Sequence, residues 1–307
     1  MNQVSRRTFL SWTAASAVAS QSTLHALAPL TAQDVIDRIR KALGNDADID
    51  PVETFKAGEP STPVTGIATT SLATMEVLRA AVKVGANMLI SCEPTFYSKA
   101  DTRTAPVQRL PGAPALAAAV PALPDPVFTA KAAFLRDHGL VVYRLNDHWR
   151  TRRPNPFSAG LADRLGWSQY TSLADPSQLT IPETSLDALV THASRSLKSR
   201  GGMRVIGDSH LRVRKVALLP GSSSLKSALE MLPQVDTLIV GEVREWEAVE
   251  YVRDTVDLTG EKSLIYVGRT VSEDPGMMLC AQWLKTLVPE LRTTWCAAGD
   301  PYWRPTA

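Results

Sequence analysis

The sequence is poor in the side chains that bind metal ions and form cross-links. Its 307 residues include only five histidines and three cysteines. So few histidines limit any histidine-rich metal site, and an odd number of cysteines leaves at least one thiol free. A Cys280–Cys296 disulfide that leaves Cys92 free fits this count, but the sequence does not supply the geometry that such a bond requires.

Neither sign of charge is in excess. The formal net charge is +2, and two of the basic residues, Arg6 and Arg7, lie in the N-terminal leader described below. Removing them from the 33 basic residues leaves 31, against 31 acidic residues. A neutral chain gives no support to nucleic acid or an anionic surface as a partner.

Long apolar runs are also missing. Hydrophobic residues make up 44% of the chain, which is enough for the core of one large or two medium domains. After residue 28, no stretch reaches the roughly 18 uninterrupted apolar residues of a membrane-spanning helix. We therefore expect a mature protein that has no membrane partner after export.

Residues 1–28 are typical of a twin-arginine signal peptide. The motif S-R-R-T-F-L (5–10) precedes a weakly apolar, alanine-rich run, and no acidic residue occurs before Asp34. Both A-V-A (17–19) and A-L-A (26–28) fit a small-x-small cleavage site. A short amphipathic helix is the alternative interpretation. The leader predicts a bacterial protein that is exported folded through the twin-arginine pathway and is periplasmic or otherwise exported.

Two stretches of the chain follow the same plan. Gly66–Pro94 and Val216–Val243 each pass from a short apolar strand through a Ser/Thr-rich turn into an amphipathic helix. Each then closes with a second apolar strand that ends near an acidic residue, Glu93 or Glu242, and a further helix and third strand follow. The pattern predicts an α/β fold of two similar halves, duplicated β-α-β-α-β units around a central cleft.

A proline-rich segment interrupts the first of these units. Residues 105–127 contain six prolines, which exclude regular structure through much of the segment. An exposed extended segment and a lid over the strand ends are the two interpretations that the sequence allows.

Polar side chains gather where the predicted strands end, which is where α/β proteins place their chemistry. If the halves pack about a pseudo-two-fold axis, one cleft collects the following residues: Cys92, Glu93, Asn146, Asp147, His148, Glu242, Arg269 and Glu273. A structural role is the alternative for single members, since a cysteine at a strand end is often only a small buried residue.

Six short motifs in order resemble the NIF-three (NGG-one interacting factor three) family. They are S-C-E-P (91–94), where the family has S-H-H-P; L-A-D-R-L-G-W (161–167); R-V-I-G-D (204–208); P-G-S-S-S (220–224); V-G-E (240–242); and G-R-T-V-S-E-D-P-G-M (268–277), where the family has G-H-x-x-S-E-x-x-G. The family includes dinuclear-metal-centre hexamers and proteins catalogued as type 2 GTP cyclohydrolase I.

The resemblance implies a fold and an assembly. It implies two interleaved α/β domains in the mature chain 29–307, about 29–128 plus 203–307 interleaved with 129–202. It also implies a homo-oligomer, from dimer to toroidal hexamer, with a deep cleft between the domains.

The resemblance also shows how far the metal-binding positions have changed. The paired histidines of the family fall on Cys92 and Glu93, the next histidine and aspartate on Asn146 and Arg150, and the C-terminal histidine on Arg269. Glu273 alone matches its family position. Asp147 and His148 lie in the same turn as Asn146 and could substitute as ligands.

Three functions follow from these residues. In the first, the dinuclear centre is lost, and a cleft with Arg150, Arg269, Asn146 and Glu242 binds a small anionic ligand or has a structural role. In the second, one divalent transition metal (zinc, iron or manganese) remains on Cys92, Glu93 and Glu273 and supports hydrolysis.

The third function is that of a metal-free enzyme with Cys92 as nucleophile, for which the sequence places no clear histidine base. GTP cyclohydrolase activity is not expected, because a fold and an altered site do not carry a reaction with them.

Overall fold

The computed structural model describes residues 29–44, 52–98, 101, 125–171, 175–200, 202–303 and 305. The predicted leader (1–28) and residues 105–124 of the proline-rich segment lie outside these ranges. Pro126, at the end of that segment, begins a helix, with Asp125 accepting a hydrogen bond from the Phe128 N–H as its cap. Proline suits the first turn of a helix, where its missing N–H would have no partner.

The strands and helices of the described residues are as follows. The strands are β1 (Phe55–Ala57), β2 (Ile67–Thr70), β3 (Met88–Ser91), β4 (Val141–Arg144), β5 (Gln178–Ser185), β6 (Arg204–Ile206), β7 (Arg212–Ser223), β8 (Thr237–Val243), β9 (Ser263–Tyr266) and β10 (Thr293–Trp295). The helices are α1 (Ala32–Leu43), α2 (Met75–Lys83), α3 (Pro126–Asp137), α4 (Asp147–Thr151), α5 (Pro156–Arg164), α6 (Leu186–Leu197), α7 (Leu225–Met231), α8 (Glu250–Thr259) and α9 (Arg269–Leu287). None of these helices has the length and apolar character needed to cross a bilayer.

The predicted duplication is confirmed. One five-stranded sheet has the order β1-β4-β3-β2-β10 and the other the order β5-β7-β8-β9-β6. In the first sheet β2, β3 and β4 run parallel, and in the second β7, β8 and β9 do so. Each half is therefore a β-α-β-α-β unit with extra strands at its edges, which is the mixed sheet that the pattern predicted.

The Ser/Thr-rich turns cap helices, as their composition predicts. The Thr74 side chain accepts a hydrogen bond from the Val77 N–H at the start of α2, and Ser224 accepts one from the Ser227 N–H at the start of α7. The strands on either side of α2 are fully buried, which explains their unbroken apolar runs.

The predicted domain boundaries do not follow the two sheets. Strand β4 lies in the segment 129–202 that was assigned to the inserted domain, yet it pairs with β3 in the first sheet. The first sheet combines residues 55–144 with β10, and the second combines residues 178–266. The reason is that a β-α-β crossover through α3 returns the chain to the neighbouring parallel strand, so β4 stays with its own unit.

Helices α5 and α9 cross in close backbone contact between the two sheets. A Cβ atom on Gly160 of α5 would lie 2.6 Å from the Pro275 carbonyl carbon in α9, and one on Gly276 would lie within contact distance of Phe157. This crossing explains the glycine at position 276 of the last motif and the one at position 160, directly before L-A-D-R-L-G-W (161–167). It also fixes the first turns of α9 at the ends of the strands.

All three cysteines are buried and free. Cys280 packs in the core around α1 and α9, whereas Cys296 packs in the core around α2. The Cys280–Cys296 disulfide that the cysteine count allowed is therefore not formed.

The helix crossing generates a stability prediction. Gly160→Ala should lower the free energy of unfolding by about 1–3 kcal/mol, because an added methyl group meets backbone atoms that cannot turn away. Ala159→Ser, a change of similar size at a half-buried position of the same helix, should cost less than about 0.5 kcal/mol. Urea denaturation of both variants measures the difference, and equal costs would show that the helices are not in contact at Gly160.

Candidate functional site

The candidate site lies where the two halves meet. From the first half, Cys92 and Glu93 follow β3, and the turn after β4 leads into α4. From the second half, Glu242 lies near the end of β8, and α9 begins at Arg269. The structure brings together seven of the residues predicted from the sequence: Cys92, Glu93, Asn146, Arg150, Glu242, Arg269 and Glu273. Strand ends from both sheets supply them, as the symmetry argument predicted.

A chain of ion pairs runs through the site. The Arg269 Nη2 atom lies 2.6 Å from Glu93 Oε1, its Nη1 atom 3.2 Å from Glu242 Oε2, and its Nε atom 3.6 Å from Glu273 Oε2. The Arg150 Nη2 atom lies 2.6 Å from Glu273 Oε1. Each of the two buried carboxylates, Glu93 and Glu273, thus has a guanidinium partner.

The surrounding residues hold these charges in place. Arg150 stacks on the Phe157 ring, 4.2 Å from its centroid, and donates from Nε to Asn146 Oδ1. The neighbouring Trp149 is buried and donates its indole N–H to the Gly276 carbonyl of α9. Helix α4 is therefore tied to α9, which places Arg150 within reach of Glu273.

Glycine and serine residues make room for Glu273. A Cβ atom on Gly221, whose φ is +81°, would overlap Glu273 Oε1, and one on Gly241 would overlap the Ser272 hydroxyl. The Ser272 hydroxyl accepts a hydrogen bond from the Gly221 N–H and donates one to the Arg269 carbonyl. Glu273 has no exposed surface, because these contacts close the site around it.

The Cys92 thiol is a poor nucleophile in this setting. It is fully buried, with Sγ 3.6 Å from Asn146 Oδ1 and 3.8 Å from Glu93 Oε1. Burial raises the pKa of Cys92 well above its usual value, and the Glu273 and Glu93 carboxylates raise it further. A thiol, and not the reactive thiolate, therefore occupies the site at neutral pH.

Sequence reasoning missed Glu53, which controls the turn after β4. Glu53 Oε1 accepts hydrogen bonds from the backbone N–H groups of Asn146 and His148, and Oε2 pairs with the His148 ring at Nδ1. The pair uses one ring nitrogen of His148, which was predicted as a substitute ligand. No motif marks Glu53, since it lies about 90 residues before its partners.

Three donor atoms lie close enough together to hold one metal ion. The Cys92 thiol and the carboxylates of Glu93 and Glu273 have ligand atoms within 4.8 Å of one another. Among the described residues, Asp147 and His148 are not part of this group. Three donors, with both carboxylates already paired to guanidinium groups, do not fit two divalent ions, which need several anionic ligands and a bridging carboxylate.

A cavity of about 760 Å³ opens beside the ion pairs. Arg269 and Glu242 form part of its wall, and Arg204 lies over the Tyr266 ring, 4.2 Å from its centroid. The remaining lining is mostly apolar or aromatic: Leu72, Gly202, Val267, Gly268, Thr270, Val271, Asp300, Pro301, Tyr302 and Trp303. Its size matches that of sites for small organic molecules.

Comparison with known proteins confirms the predicted resemblance. Residues 153–298 match the family described as Duf34/NIF3 (NGG1p interacting factor 3). This segment contains Glu242, Arg269 and Glu273, whereas the altered pair Cys92-Glu93 lies before it. No curated protein matches the sequence.

Solved structures extend the likeness over nearly the whole chain. Staphylococcus aureus hypothetical protein SA1388 is 14% identical with a TM-score of 0.65, over 90% of this chain and 100% of that one. A Bacillus cereus protein related to NIF3 is 14% identical with a TM-score of 0.64, over 90% and 99%. Reduced HcgD from Methanocaldococcus jannaschii is 14% identical with a TM-score of 0.55, over 87% and 97%. At these identities the likeness shows the fold alone.

The burial of Glu273 generates a pH prediction. Burial raises the pKa of Glu273 to about 7, and the nearby Glu93 carboxylate also raises it, against the opposing effect of Arg150 and Arg269. Between pH 4.5 and 7 the unfolded chain loses a proton that the folded chain keeps, so the wild-type free energy of unfolding falls as pH rises.

Glu273→Gln removes this titration. The difference in unfolding free energy, variant minus wild type, should therefore increase by about 1–3 kcal/mol between pH 4.5 and 7.5. Urea denaturation across that range measures it. Glu230→Gln, at an exposed position on α7, is the control and should show no such increase. Parallel curves for wild type and Glu273→Gln would contradict the raised pKa.

Proposed function

We propose that this protein binds a small organic anion in the cleft without a metal ion. The observation that carries the proposal is the position of Arg269, which pairs with buried Glu93 on one side and forms the wall of the 760 Å³ cavity on the other. In this arrangement arginine supplies the positive charge that the family resemblance assigns to metal ions.

The guanidinium groups oppose metal binding for two reasons. Arginine stays protonated, so Arg150 and Arg269 repel a cation and cannot act as ligands. A metal ion on Glu93 and Glu273 would also have to displace two ion pairs with N···O distances of 2.6 Å. Removing one partner of a buried pair costs about 3–5 kcal/mol when the other is left uncompensated.

The outer side of Arg269 is suited to a ligand. Its Nη1 atom pairs with Glu242, whose side chain is 46% exposed, so this pair is weak and open to exchange with water. A ligand carboxylate or phosphate can replace Glu242 there while the Glu93 pair stays intact. The aromatic side chains of Tyr266, Tyr302 and Trp303 offer surfaces for a ring. The ligand class is therefore a ring-bearing carboxylate or phosphate monoester.

Binding is favoured over catalysis by the chemistry of the cleft. The Cys92 thiol has a raised pKa, and Glu93 and Glu273 are both held by arginines. A general base must reach the proton that it abstracts, and a nucleophile must be activated. The residues that the cleft brings together satisfy neither requirement without breaking an ion pair.

Substitution of Glu242 tests the ligand position. Glu242→Gln should tighten the binding of benzoate and phenyl phosphate by about threefold to tenfold, because it removes the carboxylate that competes for Arg269. Arg269→Lys should weaken the same binding, because lysine cannot contact Glu93 and the ligand with one planar group. Isothermal titration calorimetry measures both changes.

The control for this experiment is Glu250→Gln. Glu250 is equally exposed and also paired with an arginine, Arg253, but it lies outside the lining of the cavity. Its affinities should equal those of the wild type. Unchanged or weaker binding in Glu242→Gln would place the ligand away from Arg269 and overturn the proposal.

A mononuclear metal site is the second candidate, favoured by the three donor atoms within 4.8 Å. Cys92, Glu93 and Glu273 would hold a zinc ion, which would supply an activated water for hydrolysis. The ion would require loss of the thiol proton and movement of both guanidinium groups away from the carboxylates.

Metal content separates the two candidates. Protein purified without chelators or a histidine tag should contain less than about a tenth of an equivalent of zinc, iron or manganese, because the arginines compete with the ion for the carboxylates. Elemental analysis measures it. A near-stoichiometric metal that is lost in Cys92→Ser would instead establish the mononuclear site.

A further inference from the structure

A second cavity, of about 540 Å³, lies on another face of α9. Arg269 and Glu273 are four residues apart and share one face of this helix, whereas the second cavity contacts Val271, Asp274, Pro275 and Met278. The opposite walls come from the ends of α5 and α6, with Arg164, Leu197, Lys198 and Arg200, and from the chain after β10.

Three cations on these walls have no anionic partner among the residues that the structure describes. Arg164, Lys198 and Arg200 are exposed, and none forms an ion pair with a described residue. They come from separate parts of the chain, the last turn of α5 and the residues after α6, so their convergence is a product of the fold.

Trp295 contributes part of its ring to the same cavity. The side chain is half-buried, whereas its indole nitrogen has almost no exposed surface, so a ligand in the cavity contacts the ring and not the N–H group.

The acidic residues of the lining are mostly engaged elsewhere. Asp274 is buried and accepts hydrogen bonds from the Ser71 hydroxyl and from the backbone N–H groups of Ala298 and Gly299. Asp300 accepts one from the Tyr302 N–H. Glu76 lies in the first turn of α2, where the helix dipole partly offsets its charge. The cations therefore remain available to a ligand.

We propose that this cavity is a second anion-binding site, for a carboxylate or phosphate monoester with an apolar body. Arg164, Lys198 and Arg200 attract the oxyanion, and Leu197, Val271 and Met278 contact its apolar part. The site is separate from the Arg269 cavity, although Val271 and Asp300 contribute to the walls of both.

Charge substitution with a matched control tests the proposal. Phenyl phosphate is titrated into the full-length protein, and the triple variant R164Q/K198Q/R200Q should lose one binding event or weaken it by about tenfold or more. The control R195Q/R214Q/R253Q removes the same charge from exposed arginines outside this cavity and should bind as the wild type does.

One further variant fixes the location. Arg269→Lys should leave that event unchanged, which separates it from the ligand proposed for the first cavity. If both triple variants lose the same affinity for phenyl phosphate, the attraction is non-specific and the second site is overturned. The second site is also overturned if R164Q/K198Q/R200Q binds phenyl phosphate as the wild type does.

Discussion

The rest of the cleft depends on one half-buried cation, the Arg269 guanidinium. It contacts a carboxylate from each half, Glu93 beyond β3 and Glu242 in β8, and it also approaches Glu273 on its own helix. Glu273 in turn is held by Arg150, which α4 presents from the first half. Because neither buried carboxylate can lose its cation without a large cost, these pairs set the distance between the halves at the strand ends.

Much of this arrangement could be predicted from the sequence, because it follows from local rules. Parallel strands place their carboxyl ends at one edge of a sheet, so residues directly after apolar runs gather there. Cys92-Glu93 and Glu242 were found in this way, and the repeat of one plan in both halves indicated that the two edges face each other. Arg269 and Glu273 were found from a motif at the start of α9, four residues apart on one helix face.

The remaining features depend on contacts between distant residues that leave no local pattern. Glu53 bonds to the turn at Asn146 and His148, and nothing in its neighbourhood marks it as a partner. The predicted domain boundaries came from the resemblance and differ from the division into two sheets, because β4 pairs with β3. Export by the twin-arginine route and assembly into an oligomer stay predictions, because the leader lies outside the described residues and the contacts discussed are all within one chain.

The substitutions at the family's ligand positions make physical sense only as a set. Glu93 stands where the resemblance places a neutral histidine, so it adds a buried negative charge to that of Glu273. Arg150 stands at the position of an aspartate and Arg269 at that of another histidine, and together they add two positive charges that directly contact these carboxylates. The two buried carboxylates are balanced by two guanidinium groups, with the half-exposed Glu242 at the outer edge, whereas an aspartate and a glutamate among histidines would need cations from solution. A single change, such as Glu93 without Arg269, would leave a charge buried and unpaired. The arginines therefore complete the cluster and leave little electrostatic attraction for a metal ion, and the outer face of Arg269 remains open to an anion.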